Sequence, residues 1–267
     1  MSRWVLLLVA ALASASVSAQ SHKVEFIDGG SLWEYQVHNA SDVALDAFVI
    51  GITCDVHNTV GGENITKPGS AAVGDISQTV SEDILSYPQG RFKEMQPGET
   101  RGFRSVATGG VDSYNCHEHL KGAIFADGFV VNPSGLHPVY EGRRGTYEEL
   151  QFIYPLLQKI AAGTVSADSA EAALTARRSK LSRSPVFVDE RYAARLNVIL
   201  NFILALQRRS IVHFEGEDRS QPEPRVSEFA ADNKLSLEQA HATLLAGKVQ
   251  EWMNTLQPNL SPNTRKH

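Results

Sequence analysis

The sequence predicts an α+β protein, with an N-terminal antiparallel β-sandwich followed by a C-terminal α-helical bundle or set of helical hairpins. Three observations predict it. In the first half apolar residues recur at every second position, as in "LWEYQV". In the second half they recur at every third or fourth, as in "YAARLNVILNFILAL". The change of period falls once, around "NPSGLHPVYEGRRG". The expected organisation is a signal peptide over 1–19, a β domain over 20–140, a helical region over 141–260 and a disordered tail over 261–267.

The first residues, "MSRWVLLLVAALASASVSAQ", carry Arg3, then an apolar run, then the small residues Val17, Ser18 and Ala19. That order predicts a cleaved export signal, with the mature chain starting near Gln20 in a secreted or periplasmic setting. No cysteine stands at the cleavage point, which argues against a lipid anchor. The most apolar later stretch, "NVILNFILALQRR", is well short of the roughly 20 residues that span a bilayer, so no transmembrane segment is expected after signal removal. Losing Arg3 takes the 25 Lys and Arg to 24 against 30 Asp and Glu, a net charge of −6. That weak acidity argues against a general nucleic-acid or anionic-membrane binder.

Each strand has its own signal. "SLWEYQVHNASD" sets Trp33, Tyr35 and Val37 on one face and Glu34, Gln36 and His38 on the other, with a turn after it. "VALDAFVIGITC" is apolar on both parities, which suits a central strand covered on both faces. Glycines and prolines punctuate residues 57–98, so a partly ordered loop is expected there, with one or two short strands around "DISQTV". "QPGETRGFRSVA" and "LKGAIFADGFVV" read as further strands, the second broken by an Asp127–Gly128 turn.

The pattern formed by Trp33, Tyr35, Val37, Asn39 and Ser41, then Ala47, Phe48 and Ile50, then Pro97 to Thr100, resembles immunoglobulin-like modules of exported bacterial proteins. The resemblance covers about a hundred residues and implies a sandwich. It brings no catalytic residues with it.

In the helical half, Thr146 and Glu149 have capping-box spacing ahead of the stripe Leu150, Ile153, Leu157 and Ile160, and Pro155 is expected to kink or split that helix. An Ala-rich helix is expected from Ser166 to about Ser182, with a stripe through Ala170, Leu174 and Leu181. Ser184 and Pro185 signal a third start, ahead of Tyr192, Leu196, Ile199, Ile203 and Leu206. A polar linker, "FEGEDRSQPEPR", precedes a last helix capped by Ser236 and Gln239, with Leu245, Val249, Trp252 and Leu256 on one face. The stripes are apolar without a recurring polar residue, so no Glu-x-x-His pair is expected to build a metal site in the bundle core.

Chemistry concentrates in "ITCDVH" and "NCHEHLKG". An even cysteine count in an exported chain favours a Cys54–Cys116 disulfide. Two alternatives use the same region. His57, His117 and His119 are candidate metal ligands that leave an open position for water. Cys54, His57, Cys116 and His119 (or His117) have the composition of a tetrahedral zinc site. Trp33 and Tyr35 are candidates for carbohydrate stacking, weighed against core packing. Asn39, Asn64 and Asn259 open N-x-S/T sequons. No nucleophile elbow, His-Glu-x-x-His or phosphate loop occurs. The reading therefore favours a non-catalytic interaction or structural protein of the cell envelope or exterior, with no cofactor and another envelope or extracellular protein as partner. A metal-dependent hydrolase and a carbohydrate-binding module are its alternatives.

Overall fold

A computed structural model describes residues 21–27, 34–58, 75–85, 93–104, 111–182, 190–208 and 225–262. The fold is α+β. Its strands are β1 (Val24–Ile27), β2 (Glu34–Asn39), β3 (Leu45–Asn58), β4 (Asp75–Asp83), β5 (Thr100–Arg104), β6 (Val111–Phe125) and β7 (Val130–Val131). They form two antiparallel sheets, ordered β1-β2-β5 and β4-β3-β6-β7.

One apolar cluster draws on both sheets. Tyr35 and Val37 from β2 meet Phe48, Ile50 and Ile52 from β3 and Ala123 and Phe125 from β6, all fully or almost fully buried. The Tyr35 ring stacks on Phe103 with centroids 5.4 Å apart, and Phe48 meets the same ring edge-on at 5.3 Å. The alternation in β2 thus marks a core face, as expected.

The turn after β2 and the Pro97–Gly98 turn before β5 hold each other. Asn39 donates its backbone N–H to the Glu99 carbonyl at 2.9 Å, and its carbonyl accepts from Gly98 N–H at 2.8 Å. Its side-chain amide donates to the carbonyls of Val43 and Met95, while its Oδ1 accepts from the Ser41 hydroxyl. Gly98 has φ 75°, and Glu99 N–H closes onto the Gln96 carbonyl, so Pro97 presets the first turn position and glycine meets the demand of the second. Asn39 is wholly buried, so its sequon serves the fold.

Strand β3 is apolar on both parities because both its faces are covered. Ala47 and Val49, with Ile124 of β6, lie under Leu136, Val139 and Tyr140. Leu136 closes a 3-10 turn over Pro133–Leu136, and the other two open the first helix.

The helices are α1 (His137–Ala161), α2 (Ala167–Ser182), α3 (Glu190–Arg208), α4 (Val226–Asn233) and α5 (Leu237–Leu256). Leu150, Ile153, Leu157 and Ile160 of α1 build a second core with Ala170 and Leu174, Ile199, Phe202, Ile203 and Leu206, and Leu245, Val249, Trp252 and Leu256. The stripes of α1 and α5 hold completely. Tyr192 and Leu196 of α3 are only half-buried, as is Leu181 of α2.

Several expectations need correcting. Helix α1 begins at His137, nine residues before the expected cap, so Thr146 and Glu149 lie mid-helix and are buried. Pro155 neither ends nor splits α1: it occupies an exposed position while Ile153 and Leu157 on either side anchor the helix in the core. Strand β4 is nine residues long and pairs with β3 from Ala47 to Asp55, more than the short strands expected there. "NCHEHLKG" lies inside the fifteen-residue β6. No sequence signal marks helix α4, which buries only Ala230 and shows no clear stripe. Its last turn closes on Lys234, a non-glycine residue at φ 55°. The expected signal peptide, the expected start at Ser184–Pro185, the charged linker before Arg225 and the end of the tail lie outside the described residues, as do Trp33 and Asn64.

Candidate functional site

The expected histidine cluster is spread along one strand pair. Gly51 pairs with His119 and Thr53 with His117, whereas His57 pairs with Asp112. His57 lies six positions along β3 from the Gly51 rung, about 20 Å of strand. Two imidazoles that each sit about 2.0–2.1 Å from one zinc do not bridge such a span. His117 and His119 are both exposed, with the His119 ring lying over Gly51. Glu118, on the intervening parity, has one buried carboxylate oxygen without a hydrogen-bond partner in the structure. Among the described residues, no three His, Cys, Asp or Glu side chains gather as a metal-binding group.

Tyr35 is 1% exposed, and its hydroxyl reaches the Glu82 carboxylate at 3.5 Å. A ring in that position has no free face for a sugar. Backbone pairing sets Cys54 and Cys116 on neighbouring strands of one sheet, while their side chains fall outside the described residues.

Two other sites gather charge. The first is the joint between sheets and helices. Arg143 of α1 donates from Nε and Nη2 to both carboxylate oxygens of Asp83 on β4, at 2.8 and 2.7 Å, with both side chains buried. Its Nη1 also reaches the Asn259 carbonyl, just beyond α5, at 3.3 Å. One guanidinium therefore ties the first and last parts of the helical half to the sheet edge. Asp46 lies beside this pair. Burial, then the charge of Glu94, pushes its carboxyl up to about 6, with Asp83 and Asp127 adding to the rise and Arg143 opposing it. Within the bundle, Glu149 of α1 is completely buried and accepts from Arg177 of α2 and Arg195 of α3, so one carboxylate bridges three helices.

The second site is a cleft of about 360 Å³ at the ends of α2, α3 and α5, lined by Asp168, Glu171, Leu206, Gln207, Glu238 and His241. The Glu238 carboxylate accepts from Ala167 N–H at the start of α2, and Glu171 accepts from Gln207 at 2.6 Å. His241 is buried. The expectation of purely apolar stripes overlooks this pair: Glu238 and His241 stand three apart in "EQAH", the Glu-x-x-His spacing that puts both on one helix face. That spacing was the available signal. Asp168 offers none beyond its place in the first turn of α2, and Glu171, a turn further on, offers none.

Comparison of the chain with protein-family models, curated proteins and solved structures finds no match. Among the described residues, no helix is long and apolar enough to cross a membrane.

Proposed function

We propose that the protein is an exported, non-catalytic interaction protein of the cell envelope or exterior, in which an immunoglobulin-like β-sandwich carries a helical platform. The observation that supports it most is the joint. Taking a guanidinium and a carboxylate out of water costs several kcal/mol per ion, and a merely tethered pair of halves has no use for that. A buried bidentate pair fixes orientation, which a platform that holds a partner requires. The shared cluster around Tyr35, Phe48 and Phe103 supports the sandwich, and the N-terminal apolar run ending in Val17–Ala19 supports export.

Two measurements on the protein from its own host test this reading. Intact mass with metal analysis is expected to show loss of residues 1–19 and no stoichiometric metal. A photo-crosslinking residue at the exposed Gln207 or Leu237, beside the helix-end cleft, is expected to give one discrete adduct in cells. Stoichiometric zinc with free thiols would move the search to Cys54, His57, Cys116 and His119, and metal beside an intact disulfide would overturn the proposal in favour of a metal-dependent hydrolase. A retained N-terminus would overturn export.

A further inference from the structure

Strands β3 and β6 bring together the two cysteines left after export. Thr53 pairs with His117 and Asp55 with Tyr114. Between these rungs β3 contributes one residue, Cys54, and β6 contributes two, Asn115 and Cys116, which defines a β-bulge. Opposed residues on antiparallel neighbours have Cα atoms about 4.5–5.5 Å apart. A disulfide spans about 4.4–6.8 Å.

We propose that Cys54 and Cys116 form a disulfide across this bulge, between neighbouring strands of a single sheet, and that the bridge fixes the register of the far end of the β3–β6 pair. The proposal rests on the export reading for its oxidising surroundings. Oxidation by a small disulfide such as oxidised glutathione is balanced: one sulfur–sulfur bond forms in the protein, one breaks in the oxidant, and the two thiol protons and two electrons leave as two glutathione thiols.

The bridge has a specific place to act. From Ala47 to Ile52, β3 is buried on both faces, and a register slip there would expose the core. Beyond Thr53 the pairing continues from Asp55 with Tyr114 to Asn58 with Val111. A bulge at the head of that segment is where one extra residue shifts the alignment, so a covalent rung at the bulge sets every rung after it. The same register makes a shared metal site poor: from the cysteines, His57 runs toward Asp112 along one strand and His119 toward Gly51 along the other, in opposite directions.

The test uses the full mature chain, alkylated before lysis of the host, for intact mass and peptide mapping. The expected result is a protein lighter by two hydrogens, carrying a linked Cys54–Cys116 peptide and no alkyl label. Amide exchange at 54–58 and 111–116 should then be slower by about tenfold or more in the bridged protein than after reduction. Exchange at 47–51 and 120–124 should change little, and C54S/C116S should match the reduced protein. Alkylated thiols in a chain that has lost residues 1–19 would overturn the bridge and leave export standing. If residues 1–19 are retained, export fails, and the purified chain in a glutathione buffer decides the bridge separately: linkage supports it and free thiols overturn it. Linkage with uniform exchange along β3 and β6 would overturn the register role.

Discussion

The joint between sheets and helices yields the sharpest prediction. Asp83→Asn keeps the shape of the side chain and one acceptor oxygen, but leaves the buried Arg143 guanidinium without its bidentate carboxylate. Removing one partner of a buried pair costs about 3–5 kcal/mol. The Asn259 carbonyl and the nearby Asp46 still face Arg143, which places the loss at the low end, about 3 kcal/mol. For a chain of this size that is a fall in Tm of roughly 6 to 12 °C. Urea unfolding of the full chain, followed by tryptophan fluorescence and far-UV circular dichroism together, measures it. The double variant R143M/D83L removes both charges and the uncompensated ion with them. It should recover most of the loss, to within about 1 kcal/mol of wild type. If D83N lies within about 1 kcal/mol of wild type, the pair is solvated and the joint is misread. If the double variant is as unstable as the single one, the contribution comes from shape and not from charge.

Three further outcomes follow from the same reasoning. Asp46 has a folded-state value pushed from 3.8 up to about 6, so protonation favours the folded chain: its contribution is fully present below about pH 4 and is lost as pH rises through 6. Asp46→Asn should therefore raise stability at pH 7, by about 1–2 kcal/mol once the full equivalent of about 3 is reduced for solvent screening, and should flatten the slope of the urea midpoint between pH 4 and 6. A Cβ on Gly145 would sit 2.2 Å from the Arg191 carbonyl where α1 crosses α3, so Gly145→Ala should cost about 1–3 kcal/mol in thermal unfolding. Gly142, one turn earlier with open space around it, should gain up to about 1 kcal/mol from the same change, and equal effects at the two sites would refute the close crossing. Glu149→Gln strips the charge from the carboxylate that joins Arg177 and Arg195, which are themselves 29% and 26% exposed, so a loss of about 2 kcal/mol is expected by chemical denaturation, and less than about 0.5 would refute a bridging role.

Where the sequence misled, a local signal had two meanings. Thr146-x-x-Glu149 is a capping spacing, but three residues apart is also one face of a continuing helix, and the arginines that recruit Glu149 come from α2 and α3. Pro155 would break an isolated helix at a cost of about 3 kcal/mol, yet the burial of Ile153, Leu157 and Ile160 offsets it. The histidines in "ITCDVH" and "NCHEHLKG" look like a cluster because each string is short. Antiparallel pairing runs the strings in opposite directions and separates His57 from His119. In the helical half, Glu238 and His241 were in plain view as a spacing, but the cleft they line is closed by residues about 70 positions earlier, at Asp168 and Glu171.

What the sequence determined by itself is whatever depends on neighbours within a turn or a strand. That includes the core face of β2, the double burial of β3, the stripes of α1 and α5 and the reciprocal Ser236–Gln239 cap, which closes with both hydrogen bonds in place. Periodicity and capping are local, so one segment is enough to reveal them. The tertiary structure alone decided which strands are neighbours, where β6 bulges, that one arginine serves both a sheet edge and the end of the last helix, and that Asp46 is crowded by Glu94 and Asp83. Those are long-range facts. A charge's partner and a strand's register depend on chain that lies tens of residues away, and no periodicity within a segment encodes them.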